Sequence, residues 1–143
     1  MKCFGLLGLV VLVGFIMMSA KQSNKTYIHL DCPYKYDSAV EMNVFVHVDN
    51  VPEYPGGDVA MLKFIIERFK YPGQEEWQAS FKLRLVIDVN GAVIAAGIMG
   101  KSNDDLTLAE KELVRVVREM PRWKPGSCRG KVVPVSVLLP VYL

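Results

Sequence analysis

The chain has 143 residues, room for one ordinary domain and a short accessory segment. About half of the residues are apolar, enough for a real core, and the formal net charge is only +2. The charge forms no run of Lys and Arg and does not interleave with aromatic residues as in single-strand binders, so nucleic acid is excluded as a partner class.

Met1-Lys2 is followed by Cys3 to Ala20, a stretch without a charged residue that is dominated by Leu, Val, Ile and Phe. Its length lies at the lower edge of the ~17–25 residues that span a bilayer. Residues 1–20 therefore read as a signal peptide or a retained membrane anchor, and either one exports the rest of the chain. Ala20 suits a cleavage site, whereas Met18 is a poor small residue for one. Residues 21–43 start polar and become mixed, and they read as a linker with some local order. A single domain is expected over 44–143. Cys32 and Cys128 are available to pair in an oxidising compartment, which depends on a Cα separation that sequence leaves open.

Val44 to Val48 is β-branched and aromatic, hence a short strand. Glu53-Tyr54-Pro55-Gly56-Gly57 then turns the chain, because Pro fixes φ and paired glycines permit positive φ. A helix follows from Asp58, with Val59, Leu62, Ile65, Ile66 and Phe69 as its apolar stripe, and Tyr71-Pro72-Gly73 ends it. Phe81, Leu83, Leu85 and Ile87 alternate with mainly polar residues, the period of a half-buried strand. Asn90-Gly91 predicts a hairpin through a type I′ turn, with Ala92 to Met99 returning. Asn103-Asp104-Asp105 offers caps for a second helix, with Thr107 and Glu110 as an alternative capping box. That helix carries Leu106, Ala109, Leu113, Val116, Val117 and Met120 on one stripe and stops at Pro121. Val132 to Leu143 closes the chain as an apolar strand. Its two prolines, Pro134 and Pro140, place it at a sheet edge over at least part of its length. The expected fold is α+β: a small antiparallel sheet with two helices packed on one face.

Catalytic and metal signals are weak. His29 and His47 are isolated, Pro55-Gly56-Gly57 lacks the residues of a phosphate loop, and no nucleophile–base set stands out. Asp104-Asp105 suits a helix start better than acid–base work. Trp123 is expected in the core. No cofactor, metal or enzymatic activity is expected.

Several motifs share one order and spacing. Pro52-Glu53-Tyr54-Pro55-Gly56-Gly57, Lys70-Tyr71-Pro72, Val86-Ile87-Asp88 with Asn90-Gly91, Met120 to Gly126 around Trp123, and Val137 to Val141 together resemble the C-terminal domain of TonB-type energy transducers. The resemblance covers roughly residues 44–143. It implies an inner-membrane anchor, a periplasmic domain, and a grip on the TonB box of a TonB-dependent outer-membrane receptor by strand addition, driven by a proton-powered motor complex in support of transmembrane transport. The residues so implied are Val132, Val133, Val135, Ser136, Val137 and Leu139 on the closing strand, with Tyr71 and Pro72 near the bound peptide. Two departures bear on coupling to a motor. Residues 3–20 contain no His, and the spacer from Ala20 to Val44 reaches at most about 80 Å. Two further readings keep the fold without the force: a periplasmic peptide-binding adaptor, and a structural envelope protein that forms a homodimer through its edge strand.

Overall fold

The computed structural model describes residues 31–73 and 80–142. The apolar run at 3–20 and the linker up to residue 30 lie outside the described residues. Among those described, no helix is long and apolar enough to cross a membrane.

The elements in chain order are β1 (Tyr34–Asp37), β2 (Met42–Phe45), α1 (Gly57–Arg68), β3 (Ser80–Ile87), β4 (Val93–Ile98), α2 (Leu108–Arg118), β5 (Ser127–Cys128), β6 (Lys131–Val132) and β7 (Val135–Tyr142). The fold is α+β. One five-stranded sheet has the order β1-β2-β7-β3-β4, and β5-β6 forms a separate two-stranded ribbon. The main sheet is mixed and not antiparallel as expected, because β2 meets β7 in parallel at a single bridge, Phe45↔Val135. The segment read as a linker is also revised: β1 and the start of β2 fall within 21–43 and belong to the sheet.

Alternation along β3 and β7 builds the core. Leu83, Leu85 and Ile87 join Ile65, Leu113, Val117 and Trp123 in one buried cluster, with Val137, Leu139 and Val141 on the same side. Helix α2 buries its whole predicted stripe, from Leu106 to Met120. Its start is the capping box: Glu110 donates its backbone N–H to Thr107 Oγ1 at 3.2 Å, and Thr107 N–H donates to Glu110 Oε2 at 2.8 Å. Asn103–Asp105 is instead a single 3-10 turn. The Glu110 side chain is 1% exposed, with Lys101 Nζ 2.6 Å from its Oε1. Burial alone raises its pKa, but the Lys101 ammonium and the Thr107 N–H outweigh that and hold it below the ordinary value.

Helix α1 departs from its predicted stripe. Of the expected core residues only Ile65 is fully buried. Ala60, Met61, Phe64 and Phe69 pack against the core beside it. Val59 (83%), Leu62 (48%) and Ile66 (60%) remain exposed. The helix is apolar almost all round, so its sequence admits several buried faces, and packing selects the one that brings Phe64 against Tyr54. Its C-terminal end is pinned to α2, where Lys70 N–H donates to Glu112 Oε1 at 3.1 Å. The Arg115 guanidinium, bonded to Glu112 at 2.7 Å, is the main reason that Glu112 titrates at about 2.

The two loops that flank Trp123 meet in space. Glu53 and Lys124 exchange backbone bonds of 3.0 and 2.8 Å, and Tyr54 stands edge-on to the Trp123 ring at 5.5 Å. Trp123 is buried as expected, with its Nε1 unpaired. Its backbone N–H donates to Gly91 O at 2.8 Å. A Cβ at Gly91 would lie 1.9 Å from Trp123 O, and Gly91 has φ +80°, so glycine is required there twice over. The turn itself differs from expectation. Only Gly91 has positive φ, while Asp88 Oδ1 accepts from the N–H groups of Asn90 and Ala92, each at 2.8 Å. The carboxylate stabilises an Asx-type turn with a register shift next to it in place of type I′. Two consecutive positive φ values occur in the turn between β5 and β6, at Arg129 and Gly130, and before α1, at Gly56 and Gly57. Cys32 and Cys128 form a disulfide with Cα atoms 6.3 Å apart.

Candidate functional site

The closing segment is not one strand. Pro134 divides it: Val132 lies in β6 opposite Ser127, Val133 donates its N–H to Gly126 O at 3.1 Å, and Val135 to Leu139 lie in β7. Of the eight residues expected at a peptide site, the structure therefore brings Val135, Ser136, Val137 and Leu139 onto one strand. Val132 and Val133 stand before it, and Tyr71 and Pro72 follow α1.

Strand β7 is interior by topology but has an open side. It pairs with β3 over its full length, from Ser80↔Tyr142 to Ile87↔Val135. On its other side β2 reaches it only at Val135. Phe45 N–H donates to Pro134 O at 2.9 Å, so residue 134 turns its carbonyl toward β2. Alternate residues of a strand turn their N–H and C=O groups to the same edge. Residues 134, 136, 138, 140 and 142 therefore face the β2 side, and 135, 137, 139 and 141 face β3. Both prolines have the first parity, which explains how β7 keeps an intact ladder with β3. Among the described residues, no strand lies against the open edge at Leu138, Pro140 and Tyr142.

Helix α1 flanks the same end of β7. Asp58, Met61, Leu62 and Ile65 face Leu139, Pro140, Val141 and Tyr142 across a groove of about 320 Å³. Leu62 connects this groove to the exposed Val59 and Ile66, which lie three and four residues away on the same helix face. Side chains of a strand laid along the open edge would share faces with their β7 neighbours. Those opposite Leu139 and Val141 would enter the groove. Tyr71 and Pro72 do not line it. Sequence reasoning missed the α1 wall and the residues Leu138, Pro140 and Tyr142. The surplus of apolar residues on α1 and the shared parity of Pro134 and Pro140 were the available signals.

The other face of the sheet carries a second cavity, of about 430 Å³, beneath the β1–β2 hairpin. There Arg84 binds Asp37 of β1, and its Nε donates to Ser136 Oγ at 3.1 Å. Burial raises the Asp37 pKa, but hydrogen bonds from Arg84 and from the Ala39 N–H dominate and hold it below the usual range. This ion pair ties β1 to β3 across that face of the sheet. Cys32, Asp49 and Cys128 bring donor atoms within 4.8 Å of one another, but both sulfurs are committed to their mutual bond. His47 also lines the second cavity.

Comparison with protein-family models, with curated proteins and with solved structures gives no match.

Proposed function

We propose that this domain binds an extended peptide by strand addition to the open edge of β7, in the manner of TonB-type transducer C-terminal domains. The observation that carries the reading is the coincidence of two features. A backbone edge at Leu138 to Tyr142 that no strand among the described residues occupies lies beside an exposed apolar helix face at Val59, Leu62 and Ile66. The edge offers main-chain hydrogen bonds, and the groove offers contacts to alternate side chains, the two components of recognition by strand addition. On this reading the partner is a periplasm-facing segment of an outer-membrane receptor, and residues 3–20 hold the chain at the inner membrane or direct its export. A soluble adaptor would use the same edge. So would a second copy of the chain, which the expected homodimer requires.

The test is a calorimetric titration of the disulfide-bonded protein with TonB-box peptides, alongside Leu62→Asp. Leu62 is half exposed, so the variant keeps its fold while placing a carboxylate in the groove. Binding to the parent protein and a loss of at least tenfold in the variant are expected. Unchanged binding by the variant places the peptide elsewhere, and sedimentation of the free protein as a dimer assigns the edge to self-association.

A further inference from the structure

The disulfide joins the point where the chain enters the domain to the segment that leads into β7. Cys32 lies two positions before β1, and Cys128 lies seven positions before Val135. Three segments are tied together around this bond. Asn50 and Ser127 exchange backbone bonds of 3.1 and 2.9 Å, and Asn50 Nδ2 donates to Ser127 Oγ at 2.9 Å. Arg129 N–H donates to Asp49 Oδ2 at 2.6 Å, and the Arg129 guanidinium pairs with Asp31. Two acidic residues from different segments thus hold Arg129 in its positive-φ turn conformation.

The hairpin that follows Cys32 is attached far less firmly. Among the described residues strand β1 pairs only with β2, β2 meets the rest of the sheet at one bridge, and Asp37 of β1 reaches β3 through its ion pair with Arg84. Without a covalent bypass, tension on the N-terminal segment would act on β1 first. It would open the hairpin from its end, where Tyr34 opposes Phe45.

We infer that the Cys32–Cys128 bond is a mechanical clamp. It carries tension from the N-terminal segment directly to β7, so that the β1–β2 hairpin and the body of the domain stay out of the load path. The inference rests on the proposed role of β7 as the peptide-bearing strand at the end of a tethered chain. Force entering at Cys32 crosses to Cys128 and runs along the chain through β6 into β7. Residues 33–127 form a closed loop beside that route. Strand β7 is also paired with β3 over its whole length, from Val135 to Tyr142.

Optical-tweezers measurements on the full chain in detergent micelles test this, with one handle at Leu143 and the other at either of two places. With the disulfide intact and the second handle at the N-terminus, no early low-force step is expected. With that handle moved to an azide-bearing residue replacing Ser38, in the β1–β2 turn, the hairpin is loaded directly. An early step of roughly 20 Å is then expected, the length of residues 33–38. Reduction by a phosphine, which turns the disulfide into two thiols as phosphorus is oxidised, should make the N-terminal handle behave likewise. It should give an early step of roughly 45 Å as residues 33–45 peel away. The same first step at the same force from both handle positions would overturn the clamp. So would a reduced chain that, pulled from its N-terminus, first yields at the force of the oxidised one. No peptide takes part in these measurements, so the clamp can fail while peptide binding persists, and peptide binding can fail while the clamp stands.

Discussion

A proline placed at successive positions of β7 reads its two edges separately. Val137 directs its N–H to β3 opposite Leu85, which is fully buried. Val137→Pro removes that donor, leaves a buried carbonyl unpaired at about 1–3 kcal/mol, and adds the steric clash of the ring in an interior ladder. A total near 3 kcal/mol is a large share of the roughly 5–15 kcal/mol that stabilises a domain. It should lower the melting temperature by roughly 12–24 °C, taking about 4–8 °C for each kcal/mol. Leu138 directs its N–H to the open edge and has a half-exposed side chain. Leu138→Pro should therefore shift melting by only a few degrees, as the native Pro140 is tolerated on the same edge. In a peptide titration the order reverses. The folded Leu138→Pro protein lacks one edge donor and should bind about 2- to 12-fold more weakly, the equivalent of about 0.5–1.5 kcal/mol for one net hydrogen bond. Circular dichroism melts and calorimetry on the two variants are sufficient. If Leu138→Pro unfolds the domain as Val137→Pro does, the edge is occupied in the native protein. If Val137→Pro melts no lower than Leu138→Pro, the parity assignment is wrong.

Two further outcomes concern stability. Trp123→Ala empties the space beside Tyr54 and should cost about 3–5 kcal/mol in chemical denaturation; a loss below roughly 1 kcal/mol would show that the ring is not a core anchor. Glu110 has its pKa depressed in the folded state, so its contribution is complete above its ordinary value of 4.5 and is lost as pH falls through the lower folded value. Lys101→Met should accordingly destabilise most at neutral pH, with the deficit shrinking below about pH 4.5 as Glu110 takes up a proton; a pH-independent deficit would assign the effect to packing alone.

The legible parts of this fold are those where one physical signal acts alone. Helix α2 has its apolar residues on one side apart from the exposed Leu108, so its period determines its buried face, and Thr107 with Glu110 determines its start. Helix α1 has apolar residues on nearly every side, and which of them face inward is decided by partners outside the helix. The Asn90-Gly91 hairpin was found but its turn type was not, because the Asp88 carboxylate competes for the Asn90 and Ala92 N–H groups. The place of β2 was hidden for another reason: one parallel bridge across ninety positions leaves no trace in local alternation. The Cys32–Cys128 bond depends on a 6.3 Å separation that only the folded chain defines. The candidate site was legible as a strand with an edge over part of its length, but which of its residues face that edge was not. Prolines show which side of a strand lacks donors only after their parity is matched to a neighbour.

The same parity bears on what the edge can accept. Exposed edges invite pairing with another chain, and proteins limit this with short strands and prolines. Here Pro140 removes the middle donor of the open stretch and leaves Leu138 and Tyr142 to donate on either side of it. Two copies of β7 laid edge to edge would bring two such gaps into one ladder, whereas a partner peptide without proline brings only the gap that β7 already has. Self-pairing thus forfeits more hydrogen bonds than peptide addition does. The groove works in the same direction. Its walls are apolar apart from Asp58 and the phenol of Tyr142, so it favours apolar side chains at alternate positions of an incoming strand. A second β7 laid in opposite orientation would offer its Leu139 and Val141 there only by displacing the copy of α1 that already covers them. An edge with a gap at its centre, next to a groove that fits alternate side chains, therefore suits a short reversible peptide contact better than a permanent dimer.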